Sequence, residues 1–172
     1  MGARTALHVE ELHRQHSRRV YGYVYRRTGD VQSAQQITND VFRIAWQHQK
    51  EPSEDALPWL LVTARNLVAN ESRAQRRQRG LVEKLGGAEL ARRPQQGNDP
   101  GAAVREVLGT LRPQEREILM LAYWDSLSLG EISAILGCSP ESAKSRLFRA
   151  RRAFSKKAPN QMVKGGTPNG QH

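Results

Sequence analysis

The chain is predicted to be all-α, built as two small helical domains joined by a flexible linker. Three observations carry that expectation. Apolar residues recur every three or four positions over most of the length, which is the helical period. No stretch alternates apolar and polar residues, and no β-hairpin turn signal occurs. A block rich in glycine and proline, residues 80–101, interrupts the periodicity. A length of 172 residues suits one ordinary domain or two small ones.

Between residues 5 and 27, Leu12, His16, Val20 and Val24 recur every four positions with Arg and Glu between them. Gly29 can take the left-handed conformation that ends a helix, and Asp30 can cap the next one. The second helix carries Ala34, Ile37, Val41, Ile44 and Ala45 on one stripe, with Phe42 and Trp46 beside it. Residues 47–55, polar and containing Pro52, break the pattern. A third helix opens around Leu57 and Pro58, where the first turn tolerates proline. It runs through Leu61, Ala64 and Val68 to Arg79.

The linker holds at most a weak helical turn at residues 81–85. Helical pattern resumes at Ala102, where Val104, Leu108 and Leu111 mark a short helix. Pro113 opens another, carrying Ile118, Leu119, Leu121 and Ala122. The expected domains are therefore residues 1–79 and 102–157, and the polar segment 158–172 is expected to be disordered.

The sharpest motif lies in SLSLGEISAILGCSPESAKSRLFRARR, which starts at Ser126. Ser128 and Glu131 have the spacing of a capping box. Ile132, Ile135 and Leu136 form the apolar face of the helix that follows. Gly137 supplies a tight turn, Ser139 a second N-cap, and Pro140 a first-turn residue. Two short helices joined by a Gly-containing turn make a helix-turn-helix. In that geometry the second helix offers its N-terminal residues to base edges in the DNA major groove. Here these are Ser139, Glu141, Ser142, Lys144, Ser145 and Arg146, while Ala143, Leu147 and Ala150 face the core, flanked by Phe148 and Phe154.

Charge agrees. Lys plus Arg number 27 against 17 Asp plus Glu, a formal net charge of +10, which suits a polyanionic partner. From Lys144 to Lys157 there are seven basic residues and no acidic one. Arg149, Arg151, Arg152, Lys156 and Lys157 can reach phosphates. The segment PWLLVTARNLVANESRAQRRQR carries a second cluster, with Arg65, Arg73, Arg76, Arg77 and Arg79 against Glu71 alone. Trp59 opens it and Trp46 precedes it. Arginine with aromatic rings suits a single strand, because bases stack on rings while the backbone follows the charge. Asn66 and Asn70, one turn apart, can bond base edges. The competing assignment makes Trp46 and Trp59 core residues.

Other chemistry is excluded. Cys138 is the sole cysteine, so no internal disulfide forms, and it is expected to be a small buried filler. His8, His13 and His16 do not converge with a third strong ligand, so no metal is expected. No GxxxxGK[ST] or GxGxxG motif occurs, and no nucleophile–base set can be assembled, so neither cofactor nor catalysis is expected. The longest apolar run, around residues 59–62, falls far short of the roughly 20 a bilayer span needs. The first residues lack an apolar signal core, so a cytoplasmic location and no membrane insertion are expected. Position 6 is Ala, not the Ser or Thr of a myristoylation motif.

VYGYVYRRTGD (20–30), DVFRIAW (40–46) and PWLLVTARNLVAN (58–70) resemble sigma region 2, and residues 111–154 resemble region 4, of the bacterial extracytoplasmic-function (ECF) sigma factors. The resemblance spans about residues 6–157. It implies a non-enzymatic promoter-specificity subunit of RNA polymerase. Region 2 would dock on the clamp coiled coil of the largest subunit through Gln36, Asn39 and Asp40, with Phe42 and Trp46 supporting that helix. It would hold an unstacked base of the melted −10 element in the 47–55 loop, with Arg65, Asn66, Asn70, Arg73 and Arg76 along the strand. Region 4 would read the −35 duplex through Ser139, Glu141, Ser142, Lys144, Ser145, Arg146 and Arg149, beside the flap of the second-largest subunit. An anti-sigma factor is a further implied partner.

The chain departs from the family's habit at Gln35, Gln36 and the Asn39–Asp40 pair, where the family is more acidic or writes Gln-Glu. Asn70 replaces a common Asp, and Glu141 and Ser142 replace Gly and Thr. Two other classes compete. A conventional helix-turn-helix regulator would use residues 1–79 to dimerise, but that role has no need of an arginine- and ring-bearing helix. A nuclease would need clustered acids for metal ions, and the acids here are scattered.

Overall fold

The structure, a computed structural model, describes residues 2–53, 55–85 and 101–159. Among these residues there are seven α-helices and no strand. Backbone contacts divide the chain into two compact units, Met1–Ala91 and Arg92–His172.

The first unit packs α1 (Gly2–Thr28), α2 (Val31–Gln47) and α3 (Ala56–Lys84) pairwise against one another. The boundary between α1 and α2 forms where local chemistry demands it. Gly29 takes φ 68°, a left-handed conformation free of strain only for glycine. The Asp30 carboxylate accepts a hydrogen bond from the Ser33 amide at 2.8 Å, satisfying a donor that the helix start leaves open. The core takes Leu12, Val20, Tyr23 and Val24 from α1, Ala34, Ile37, Val41, Phe42 and Ala45 from α2, and Leu57, Leu60, Leu61 and Ala64 from α3. Each large aliphatic side chain buried this way contributes about 1.5–3 kcal/mol.

Two expectations need correcting here. Trp46 is not core: it is 46% exposed, because it sits on the flank of α2 away from the buried Val41–Ala45 stripe. Of the pair offered as support for α2, only Phe42 is buried, with its ring edge against His13 at 4.8 Å between centroids. The third helix also outruns its expected end. α3 passes through Gly80 to Lys84, five residues into the stretch expected as linker, yet none of its residues beyond Ala64 is buried. The expected linker from 86 to 100 and the segment from 160 to 172 lie outside the described residues.

In the second unit α7 (Pro140–Lys157) is the hub. α4 (Ala102–Gly109), α5 (Pro113–Tyr123) and α6 (Leu129–Leu136) all pack on it. Val107, Leu108, Leu111, Ile118, Leu121, Leu127, Ile132, Ile135, Ala143, Leu147 and Ala150 form the core. Cys138 is half-buried, not the fully buried filler expected. Phe148 does not flank this core: it is 59% exposed, on the outer side of α7. No helix among the described residues is long and apolar enough to cross a membrane.

Candidate nucleic-acid interface

The helix-turn-helix is fixed by reciprocal caps. Ser128 Oγ accepts from the Glu131 amide at 3.1 Å, and Glu131 Oε1 accepts from the Ser128 amide at 3.0 Å, closing the capping box the spacing predicts. Gly137 ends α6 at φ 65° and ψ 38°. The Cys138 amide then reaches back to the Ser133 carbonyl at 3.0 Å, a bond that only the left-handed residue permits. Ser139 starts α7, its Oγ accepting from the Ser142 amide at 3.1 Å. Each such cap is worth about 1 kcal/mol, so together they hold α7 in one orientation against α6.

That orientation sorts α7 by face. Ala143, Leu147 and Ala150 are buried. Ser139, Glu141, Lys144, Ser145, Arg146 and Arg149 are exposed, and Ser142, whose amide serves the cap, is half-buried. All seven residues singled out for duplex contact thus lie on the N-cap and first three turns of one helix. Further along, Arg152 lies over the Phe148 ring, 5.9 Å from its centroid. Arg149, Arg152, Lys156 and Lys157 line a cleft with Arg112, which precedes α5, and Glu115 of α5, five positive groups against one negative. Arg151, expected to reach phosphate, is exposed and also meets a ring of α5. Its Nε donates to Tyr123 Oη at 2.6 Å and its guanidinium sits 5.5 Å from that ring's centroid. The sequence carries no sign of this pair, whose members are 28 positions apart, nor of Arg112 in the cleft.

In the first unit the helical repeat places Trp59, Asn66, Asn70, Arg73 and Arg77 on one outward face of α3, with Arg65 and Arg76 along its edge. Asn66, Asn70, Arg73 and Arg76 are exposed and Arg65 is half-buried. Arg73 donates to Asn70 Oδ1 at 2.5 Å, linking two of the residues singled out. Trp59 is half-buried, neither core nor free. His48 meets its ring edge-on at 5.8 Å and the Lys50 ammonium lies 5.7 Å from its centroid. These contacts close the α2–α3 connection over the start of α3. Within that connection Gln49 holds φ 50°, a left-handed conformation that non-glycine residues adopt at a cost and that clusters at functional sites.

On α2, Gln36 and Asn39 are exposed and Asp40 is half-buried. Asp40 Oδ1 accepts from Arg43 at 2.9 Å, so its charge is locally paired. On α1, Arg14 bonding Glu11 holds the Glu11 carboxyl down to about 2. Burial, with the Arg19 charge adding to it, lowers the His16 imidazole below its ordinary value. Among the described residues, no group of three or more His, Cys, Asp or Glu side chains could hold a metal ion.

Sigma-70 region 2 matches residues 12–78 and sigma-70 region 4 matches residues 101–154. The chain is 27% identical to the ECF RNA polymerase sigma factor SigL of Mycobacterium tuberculosis, over 85% of this chain and 86% of that one. It is 28% identical to the ECF sigma factor SigM of Bacillus subtilis, over 84% and 91%. Among solved structures, the sigma factor RpoE in complex with NepR from Bartonella quintana aligns with a TM-score of 0.61 at 21% identity, covering 86% of this chain and 94% of that one. CnrH in complex with the cytosolic domain of CnrY aligns at 0.62 and 18%, covering 96% and 98%. The two structures establish the all-α sigma fold.

Proposed function

This chain belongs to the ECF RNA polymerase sigma factors, which direct transcription initiation to promoters, and from that premise we propose how its two units divide the work. The second unit reads the −35 element as duplex through Ser139, Glu141, Ser142, Lys144, Ser145, Arg146 and Arg149, while the basic cleft along α5 and α7 follows the phosphates. The first unit docks on the clamp coiled coil of the polymerase through Gln36, Asn39 and Asp40. It receives the melted −10 strand on Arg65, Asn66, Asn70, Arg73 and Arg76, with the strained α2–α3 connection holding one unstacked base. The flap of the second-largest subunit and an anti-sigma factor complete the partners, and the factor acts in the cytoplasm without catalysis of its own.

The observation that carries this reading is the doubly capped helix-turn-helix, whose second helix buries small apolar residues and turns its charged residues outward. A basic helix without that turn would bind polyanions in any orientation. This one can meet a groove in only one.

In vitro transcription tests the proposal. Purified chain with core polymerase on a library of genomic fragments is expected to initiate at a small set of start sites sharing two upstream elements. Initiation indistinguishable from core polymerase alone would refute it.

A further inference from the structure

Three helices of the second unit carry an acid in the first turn, where it complements the helix dipole, and two of those acids also bond back to the cap. Glu115 accepts from the Arg112 amide at 3.2 Å, and Glu131 accepts from the Ser128 amide at 3.0 Å. Both stand at the third helical position, from which a carboxylate reaches back to the cap. Glu141 stands at the second position of α7, and no hydrogen bond or ion pair engages its carboxylate among the described residues. Capping at that end is already done by Ser139 Oγ. Lys144, three residues on and exposed, does not pair with it. It is the only acid on α7, against seven basic residues. A carboxylate that neither caps nor pairs, at the exposed leading end of a helix otherwise built to attract phosphate, weakens non-specific attraction unless it gains a partner in the groove.

We infer that Glu141 is a specificity-determining residue, accepting a hydrogen bond from the exocyclic amino group of a cytosine in the promoter duplex. The inference rests on the duplex-reading role proposed for α7. In the major groove cytosine is the base that offers a donor with no acceptor beside it, which is what an acceptor-only carboxylate can use. Ser145 lies one turn further along the same outer face, about 6 Å away, so the two side chains address neighbouring base pairs. Thymine and guanine offer only acceptors in the same groove, which an ionised carboxylate repels. The effect is therefore discrimination more than affinity.

The experiment selects randomised promoter duplexes with the full chain bound to core polymerase, comparing the parent with Glu141→Gln and Glu141→Ala. Both substitutions are at an exposed position outside every cap bond and lose only the acid's interaction with the helix dipole, so the fold is kept. The parent is expected to enrich cytosine at one upstream position about tenfold over other bases. Glu141→Gln is expected to move that preference to adenine, whose adjacent donor and acceptor match an amide, and Glu141→Ala to flatten it. Every other position should keep its preference. Unchanged base preference in both variants, or a uniform rise in affinity for all sequences, overturns the inference and leaves Glu141 as a general repulsive charge. If the parent enriches no upstream sequence at all, the duplex-reading role of α7 itself falls, and this inference with it.

Discussion

α3 and α7 are both long arginine-rich helices, yet only one is supported along its length. α7 buries Ala143, Leu147 and Ala150 over successive turns, and its end is held where Lys157 donates to the Thr110 carbonyl at 2.5 Å. α3 buries its first turns through Ala64, and from Arg65 to Lys84 nothing is buried. That part is held by local contacts such as Arg73 to Asn70 at 2.5 Å and Gln75 to Glu71 at 3.0 Å, each worth about 0.2–0.5 kcal/mol. In proteins most helical stability comes from packing an apolar face, not from propensity, and this part buries none. The contrast suits two tasks. A reader of paired bases must be set in place before contact. A surface following an opened strand can gain its final order from the strand.

The contrast breaks most visibly under core truncation. Leu147→Ala removes a buried side chain from beneath α7 and is expected to cost about 2–5 kcal/mol, read as a lower denaturation midpoint of the second unit. Val68→Ala trims a half-buried residue of α3 and should cost less than about 1 kcal/mol, because little contact is lost. Equal losses would mean that α3 is supported beyond Ala64 after all.

The parts legible in the sequence are those decided within three or four residues. Asp30, Ser128 with Glu131, Gly137 and Ser139 all cap where their spacing says they should, because each bond is made to a neighbour in the chain. What tertiary packing decides was not legible. Helical spacing cannot tell Trp46, on the flank of its stripe, from a core ring, nor place Phe148 outside. Tyr123 bonding Arg151 joins two helices and orients one of the cations that charge counting assigned to phosphate. The passage of α3 through Gly80 was missed because a helix-interior glycine costs only about 1 kcal/mol, which the helix formers around it can offset.

Smaller effects should separate the two surfaces by function. Arg146→Ala is expected to weaken binding of fully paired promoter DNA by about 1–3 kcal/mol without altering the melting of the second unit, since Arg146 is exposed. Arg73→Ala with Arg76→Ala should spare duplex binding and slow promoter opening, followed by permanganate reactivity of unpaired thymines. Equal losses in both assays for both variants would erase the proposed division.

The finest distinction lies in two glycines, for which the same substitution should have opposite signs. Gly137 holds φ 65°, and an added Cβ would meet nothing within 4 Å. The cost of Gly137→Ala is therefore conformational, about 1–2 kcal/mol, with no steric part for repacking to relieve. Gly80 sits within α3, at no positive φ, and its added Cβ also meets open space. Gly80→Ala is expected to stabilise the exposed half of α3 by about 0.5–1 kcal/mol, seen as slower amide exchange over residues 74–84. If the exposed half of α3 is ordered by the strand it binds, pre-ordering it should also tighten binding to opened promoter DNA while leaving duplex binding alone. A Gly80→Ala chain with slower exchange but unchanged binding to the opened strand would show that this half of α3 is already as ordered as its task requires.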